Sequence, residues 1–280
     1  MYKTILLCTD GSPAAEVAGD YAIWFARKLG ASLRALYVTD VRLLEGPWLA
    51  DLSGAVGAQP YAALLPQLQK IQEEKAVMVL AAAKERGDKS GVTCETTHET
   101  GTLVQAILDH ERGADLVVLG QRGEHAQWSG GMLGSSVERV VRASVKPCLV
   151  TPGKFHEISH MLIAYDGSDE SSKALRTGIA LAETLGVEVT ITMVATLGGE
   201  DAAAALLEKA KQRALGGNVK ANVEVLHGDP EEGILQLRET VGADLIVMGA
   251  YGHSHLSEWI FGGVTRTVLR EAELPVLMSR

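Results

Sequence analysis

The sequence repeats itself. Ile5-Leu6-Leu7-Cys8-Thr9-Asp10-Gly11-Ser12 returns as Leu162-Ile163-Ala164-Tyr165-Asp166-Gly167-Ser168, and Leu29-Gly30 returns as Leu185-Gly186. Further along, Ala114-Asp115-Leu116-Val117-Val118-Leu119-Gly120 returns as Ala243-Asp244-Leu245-Ile246-Val247-Met248-Gly249. Val145-Lys146-Pro147-Cys148-Leu149-Val150 returns as Glu273-Leu274-Pro275-Val276-Leu277-Met278. Whatever one copy folds into, this chain builds twice. The offset falls from 156 (Leu29 to Leu185) to 129 (Ala114 to Ala243), so the first copy carries 27 extra residues between the second and third matches. That insertion falls at Val41 to about Pro60; its Gly46-Pro47 and small residues read as a loop. The alternatives are an ordinary surface loop and a lid that carries Trp48 over a site or partner. After it, Leu64, Leu68, Ile71 and Met78 recur at helical spacing.

Each copy alternates strand and helix patterns. Thr4–Thr9, Leu33–Val38 and Leu116–Leu119 are short apolar runs bounded by Gly and Asp, the pattern of strands buried on both faces. Between them lie longer Ala-rich amphipathic stretches. Pro13 opens one just inside its start and Gly30 ends it. Strand-helix alternation with short links predicts an α/β fold: two tandem Rossmann-like domains, each a five-stranded parallel sheet flanked by helices. The expected domains are 1–152 and 160–280. Lys146–Val150 and Leu274–Met278 are then fifth, edge strands, and the repeat lets them pair with each other about a pseudo-two-fold axis.

Charge and composition exclude several functions. The formal net charge is −9, against the clustered Lys and Arg that a nucleic-acid backbone requires. Up to Gly153 there are 15 basic and 17 acidic residues, and beyond it 11 and 18, so a ligand phosphate needs a local cradle and not a global field. No run of 18 apolar residues is present, so no membrane helix is expected, and the apolar run before Asp10 is too short for a signal peptide. A cytoplasmic location is the expectation. The three cysteines, Cys8, Cys94 and Cys148, each fall in an apolar strand-like run and read as buried, inert thiols.

His156-Glu157-x-x-His160 has the spacing of a zinc-protease motif. That motif works only on a helix, where residues i and i+4 aim two imidazoles at one metal. Pro152-Gly153 lies upstream and a strand pattern, Met161–Tyr165, begins immediately downstream, so the segment reads as the connection between copies and no metal is expected. His253-Ser254-His255 is a weaker metal pattern, read as a solvated loop.

In open α/β sheets, ligands bind at the carboxyl ends of the strands, where strand order reverses. In the second copy, Gly249-Ala-Tyr-Gly252 is followed after nine residues by Gly262-Gly263 and then by a helix pattern, Val264–Arg270. Glycines permit close backbone approach, and N–H groups at a helix start point at an anion. Gly120-Gln-Arg-Gly123 with Gly134-Ser135-Ser136 repeats the layout. The alternative is that the glycines only serve tight turns. Neither a P-loop nor a Gly-x-Gly fingerprint is present.

At these residues the sequence resembles the universal stress protein family in its tandem two-domain form. The resemblance implies Rossmann-like domains pairing through their last strands and, in some members, bound ATP on a Gly-x2-Gly-x9-Gly-Ser/Thr motif, with an Asp ending the first strand. The second copy keeps the nine-residue spacing but has Gly263 where the hydroxyl belongs, with Thr265 nearby. The first keeps Ser135 but has ten residues between Gly123 and Gly134. The expected ATP site, with Mg²⁺ as a companion ion, is therefore in the second copy: Asp166 and Val194 on the adenosine side, then Gly249, Tyr251, Gly252, Gly262, Gly263, Val264 and Thr265. Asp10, Val38, Gly120, Gly123, Gly134 and Ser135 form the weaker counterpart. The expected function is ATP-dependent stress response or signalling. The rivals are a slow ATPase or nucleotidyl transferase, with no catalytic set in view, and a dimerising module with empty sites. Self-association to a homodimer is a further expectation.

Overall fold

Where the sequence places an apolar run between Asp or Gly residues, a strand forms, and where it places an Ala-rich amphipathic stretch, a helix covers that strand. A computed structural model describes residues 2–44, 58–123, 134–195, 198–250 and 263–280. The first half runs β1 Thr4–Cys8, α1 Pro13–Leu29, β2 Ser32–Asp40, α2 Ala58–Lys89, β3 Cys94–Gly101, α3 Leu103–Glu111, β4 Leu116–Gly120, α4 Ser135–Ala143 and β5 Cys148–Thr151. A single helical turn, Val41–Leu44, follows β2. The second half runs β6 His160–Ala164, α5 Asp169–Leu185, β7 Glu188–Val194, α6 Glu200–Gly216, β8 Ala221–Leu226, α7 Pro230–Val241, β9 Leu245–Gly249, α8 Gly263–Glu271 and β10 Val276–Ser279.

The strands form one ten-stranded sheet in the order β3-β2-β1-β4-β5-β10-β9-β6-β7-β8. Pairing is parallel within each half and antiparallel only at the joint, where Val276 faces Val150, Leu277 faces Leu149 and Met278 faces Cys148. The repeat offset maps the Val150–Val276 pair onto the Met278–Cys148 pair, so the joint is two-fold symmetric. The fifth strands do pair, and each fills the other's open edge. α1, α2, α5 and α6 cover one face over Ile5, Leu7, Leu149, Met161, Ile163 and Leu277. α3, α4, α7 and α8 cover the other over Leu6, Val117, Cys148, Leu162, Ile246 and Met278.

The turn after the first strand is built the same way twice. In Asp10-Gly11-Ser12, the Asp10 carboxylate accepts from the Ser12 N–H at 2.9 Å, and the Ser12 hydroxyl caps α1 by accepting from Ala15 N–H. Asp166, Ser168 and Ser171 repeat it at 2.9 and 3.1 Å. The chain reverses through φ of 77° at Gly11 and 80° at Gly167, which glycine adopts without a side-chain clash.

The loop and lid alternatives for the insertion fall mostly on residues 45–57, outside the described residues. α2 has 32 residues against 17 in its counterpart α6, so the helix itself absorbs part of the extra chain. The residues at helical spacing do lie on a helix, but Ile71 is 57% and Met78 66% exposed, while Ala76 and Leu80 are buried. Small Ala76 lets the helix approach the sheet where a larger side chain would hold it off. Trp48 lies outside the described residues.

The connection between halves contains no helix, so His156 and His160 do not share a helical face. His156 and Glu157 are exposed, and His160 opens β6 with Nε2 2.9 Å from Thr190 Oγ1. Phe155 packs on Tyr21, Ile158 is buried, and Asp244 accepts from the backbone N–H groups of Ser159 and His160 at 2.9 and 3.2 Å. Among the described residues, no group of three or more His, Cys, Asp or Glu side chains is placed to hold a metal. Burial pushes the Cys148 thiol up to about 12 and raises Cys8 and Cys94 as well, so none is poised as a thiolate.

Candidate functional site

The crevice where strand order reverses lies between β6 and β9 in the second half and between β1 and β4 in the first. Asp166 follows β6, and Gly249 ends β9, its neighbour in the sheet. Asp10 and Gly120 hold the matching places beside β1 and β4. Four of the sequence-predicted residues thus flank the two crevices. Val194 ends β7, one strand further out, and Val38 lies two residues before the end of β2.

Gly249 and Gly120 owe their identity to packing. A Cβ on Gly249 would lie 2.9 Å from the Ser171 nitrogen and 3.0 Å from the Glu170 carbonyl carbon. A Cβ on Gly120 would lie 2.9 Å from the Ala14 oxygen. The first turns of α5 and α1 therefore sit directly on the strand ends, and only glycine admits them there. Gly123 is different: a Cβ there would come within 3.0 Å of Asp10 Oδ2, which sets the turn after β4 against the turn after β1.

The second glycine of each pattern opens a helix. Gly134 precedes α4 and donates its N–H to Gln121 O at 3.2 Å, with Ser135 as the first helical residue. Gly263 is the first residue of α8, followed by Val264 and a buried Thr265. Both helices leave their first N–H groups without partners inside the helix, and their dipoles favour an anion there. Tyr251, Gly252 and Gly262, and with them His253 and His255, lie outside the described residues.

Among the described residues, the two crevices differ in charge. A Cβ on Gly263 would lie 3.4 Å from Glu231 Oε1. Glu231 and Glu232 occupy the first turn of α7, whose start is capped by Asp229 through bonds of 2.9 and 3.2 Å to their N–H groups. Burial and then the neighbouring Asp229 push the Glu231 carboxyl above its ordinary value. At the matching place in the first half, α3 begins Leu103-Val104-Gln105 without charge. There the cations lie close: Arg139 Nε donates to Ser135 O at 3.2 Å. The Arg42 guanidinium is paired with the buried Asp40 at the end of β2 and holds its carboxyl low; Arg139 acts in the same direction.

Two further features carry no individual sequence signature. Asp115 Oδ2 accepts from Lys3 and Thr4 N–H at 2.7 and 3.1 Å, as Asp244 does from Ser159 and His160, so both anchor the start of a central strand. The recurrence of Ala-Asp-Leu was the available signal. Gln121, between the predicted Gly120 and Gly123, reaches across to the second half.

The chain is a symmetric pair of doubly wound α/β halves, each with a helix start beside its strand-order crevice. Known proteins share that architecture. The model of the universal stress protein family matches residues 1–152 and again 157–280, and the chain belongs to that family. Universal stress protein Slr1230 of Synechocystis is 37% identical over 286 residues, covering 99% of this chain and 100% of that protein. Universal stress protein Rv1996 of Mycobacterium tuberculosis is 26% identical over 306 residues, covering 99% and 94%. A solved universal stress protein of Archaeoglobus fulgidus superposes with a TM-score of 0.78 at 23% identity, covering 99% of this chain and 96% of that one, a likeness of fold. No helix among the described residues is long and apolar enough to cross a membrane.

Proposed function

We propose that this chain binds an adenine nucleotide, ATP, in its second half and acts in the cytoplasm as a stress-response or signalling regulator. ATP is the ligand that sets its state, with no catalytic role assigned to any residue. The observation that carries the reading is the meeting of three features at one crevice. The Asp166-Gly167-Ser168 turn follows β6, Gly249 ends the adjacent β9, and α8 starts at Gly263 on the chain that leaves β9. Asp166 and Val194 take the adenosine side. The amides around Gly252, Gly262 and Gly263 hold the phosphates, and Thr265 stands near them. Mg²⁺ bound with the nucleotide offsets the Glu231 carboxylate. The first half, with Asp10, Val38, Gly120, Gly123, Gly134 and Ser135, is the weaker site.

The test is calorimetric titration of ATP into the wild type, Gly263→Asp and Gly134→Asp. A carboxylate at Gly263 removes one or two charge-assisted bonds, each worth about 1.5–3 kcal/mol, so affinity falls by about tenfold to a hundredfold. Gly134→Asp changes it much less. Loss in Gly134→Asp alone moves the site to the first half; no binding of ATP, ADP or AMP to the wild type ends the nucleotide reading. A steady phosphate-release assay separates ligand from substrate.

A further inference from the structure

Helix α8 begins at the second-half crevice and ends against the first half. The carbonyls of Leu269 and Arg270, in its last turn, have no partners inside the helix. Gln121 supplies them: its side-chain amide donates to both, at 2.9 Å to the Arg270 oxygen. A donor at a helix C-terminus also suits the dipole.

Gln121 holds the first-half crevice by its main chain. It directly follows Gly120, its N–H donates to Thr151 O at 2.9 Å, and its carbonyl accepts from Gly134 N–H at 3.2 Å. One residue therefore fixes the start of α4 with its backbone and the end of α8 with its side chain. The return connection runs through other residues. Arg280 Nη1 donates to Arg142 O at 2.9 Å in the last turn of α4, and Arg266 Nη2 donates to Glu138 Oε1 at 3.0 Å between the two helices. The second-half equivalent of Gln121 is Ala250, which has no amide to offer. α8 has nine residues and is about 14 Å long, short enough to move as one rod.

We propose that Gln121 couples the two crevices. An anion seated between Gly123 and the start of α4 shifts the Gln121–Gly134 contact, Gln121 carries the shift to α8, and the amides at the other end of that helix change their hold on the second-half nucleotide. Gln121 is a positioning residue, since it touches neither ligand. By thermodynamic reciprocity, nucleotide in the second half changes anion affinity in the first by the same factor. The coupling rests on the nucleotide reading above.

The experiment uses the full chain, with ATP as probe, in the wild type, Gln121→Ala and Gln121→Glu; the last sets an acceptor against the α8 carbonyls. ATP affinity is read by calorimetry, and amide hydrogen exchange of residues 263–271 is read without nucleotide. The expected result is an ATP affinity about fivefold or more below wild type in both variants, together with faster exchange in α8. Affinity within about twofold of wild type in both variants overturns the coupling, even where α8 exchanges faster, because Gln121 is then a helix cap alone. Failure of the nucleotide reading is seen separately, as absence of ATP binding to the wild type in the first titration, and it removes the coupling as well.

Discussion

Tyr21 and Phe155 meet with ring centroids 4.8 Å apart and planes at 60°, joining the first helix to the connection between the halves. The Tyr21 hydroxyl accepts the His156 N–H at 3.1 Å and donates to Lys154 O at 3.3 Å. The ring is fully buried. Tyr21→Phe keeps the ring contact and strands two backbone groups, at a cost of about 1–3 kcal/mol. Tyr21→Ala also empties a core site and is expected to cost about 3–5 kcal/mol. Urea unfolding of both variants measures the difference, and a Tyr21→Phe variant as stable as wild type would mean that the hydroxyl contributes nothing.

Asp115 predicts an acid-sensitive anchor. Burial alone would raise its carboxyl, but the N–H groups of Lys3 and Thr4 and the charge of Lys146 hold it below the ordinary value of 3.8. A depressed carboxyl contributes stability that is complete above its unfolded pKa and is lost as pH falls through the folded one. Asp115→Asn is therefore expected to be less stable than wild type at neutral pH, with the gap closing on acidification below about pH 4. Thermal midpoints of both proteins across that range check it; a gap that stays constant would assign the anchor to shape and not to charge.

The paired histidines before β6 predict a negative result for metal. His156→Ala with His160→Ala is expected to leave zinc content unchanged at below stoichiometric and to cost little stability at the exposed His156, within about 0.5 kcal/mol. The His160 change adds the loss of its contact with Thr190. Elemental analysis of the purified chain decides the matter: one zinc per chain that disappears in the double variant would restore the metal site.

Glu231 predicts a pH and cation dependence of nucleotide binding. Its raised carboxyl stands against Gly263. Without Mg²⁺, ATP affinity is expected to rise as pH falls and Glu231 takes up a proton. Glu231→Gln should flatten that rise and improve Mg²⁺-free binding at neutral pH by about fivefold, the effect of roughly 1 kcal/mol of exposed charge repulsion. Titrations with and without Mg²⁺ at two pH values test this, and an unchanged pH profile in the variant would place the phosphates elsewhere.

The sequence carried the architecture because a repeat states it twice. The strand-turn-helix at Asp10-Gly11-Ser12 and Asp166-Gly167-Ser168, and the pairing of the Pro147 and Pro275 strands, follow from local chemistry and symmetry. The core face of α2 was not legible. Ile71 and Met78 look like core from spacing, yet Ala76 and Leu80 pack on the sheet, because tertiary approach favours a small residue over a large one at that contact. Gly120 and Gly249 read as ligand glycines, and the structure accounts for them by the backbone of α1 and α5. Glu231 beside Gly263 and Gln121 beside Leu269 and Arg270 join positions 32 and about 148 residues apart, which no local pattern encodes.

The antiparallel joint between β5 and β10 gives the molecule two poles. All strands of the first half point one way and all strands of the second the other, so the two crevices open on opposite rims of the same sheet. Four strand spacings, about 19 Å, separate them across its width. A macromolecule resting on one rim is in contact with one crevice only, and no single small molecule can bridge both. Duplication here has produced two crevices that face away from each other across one sheet, and not one doubled cleft.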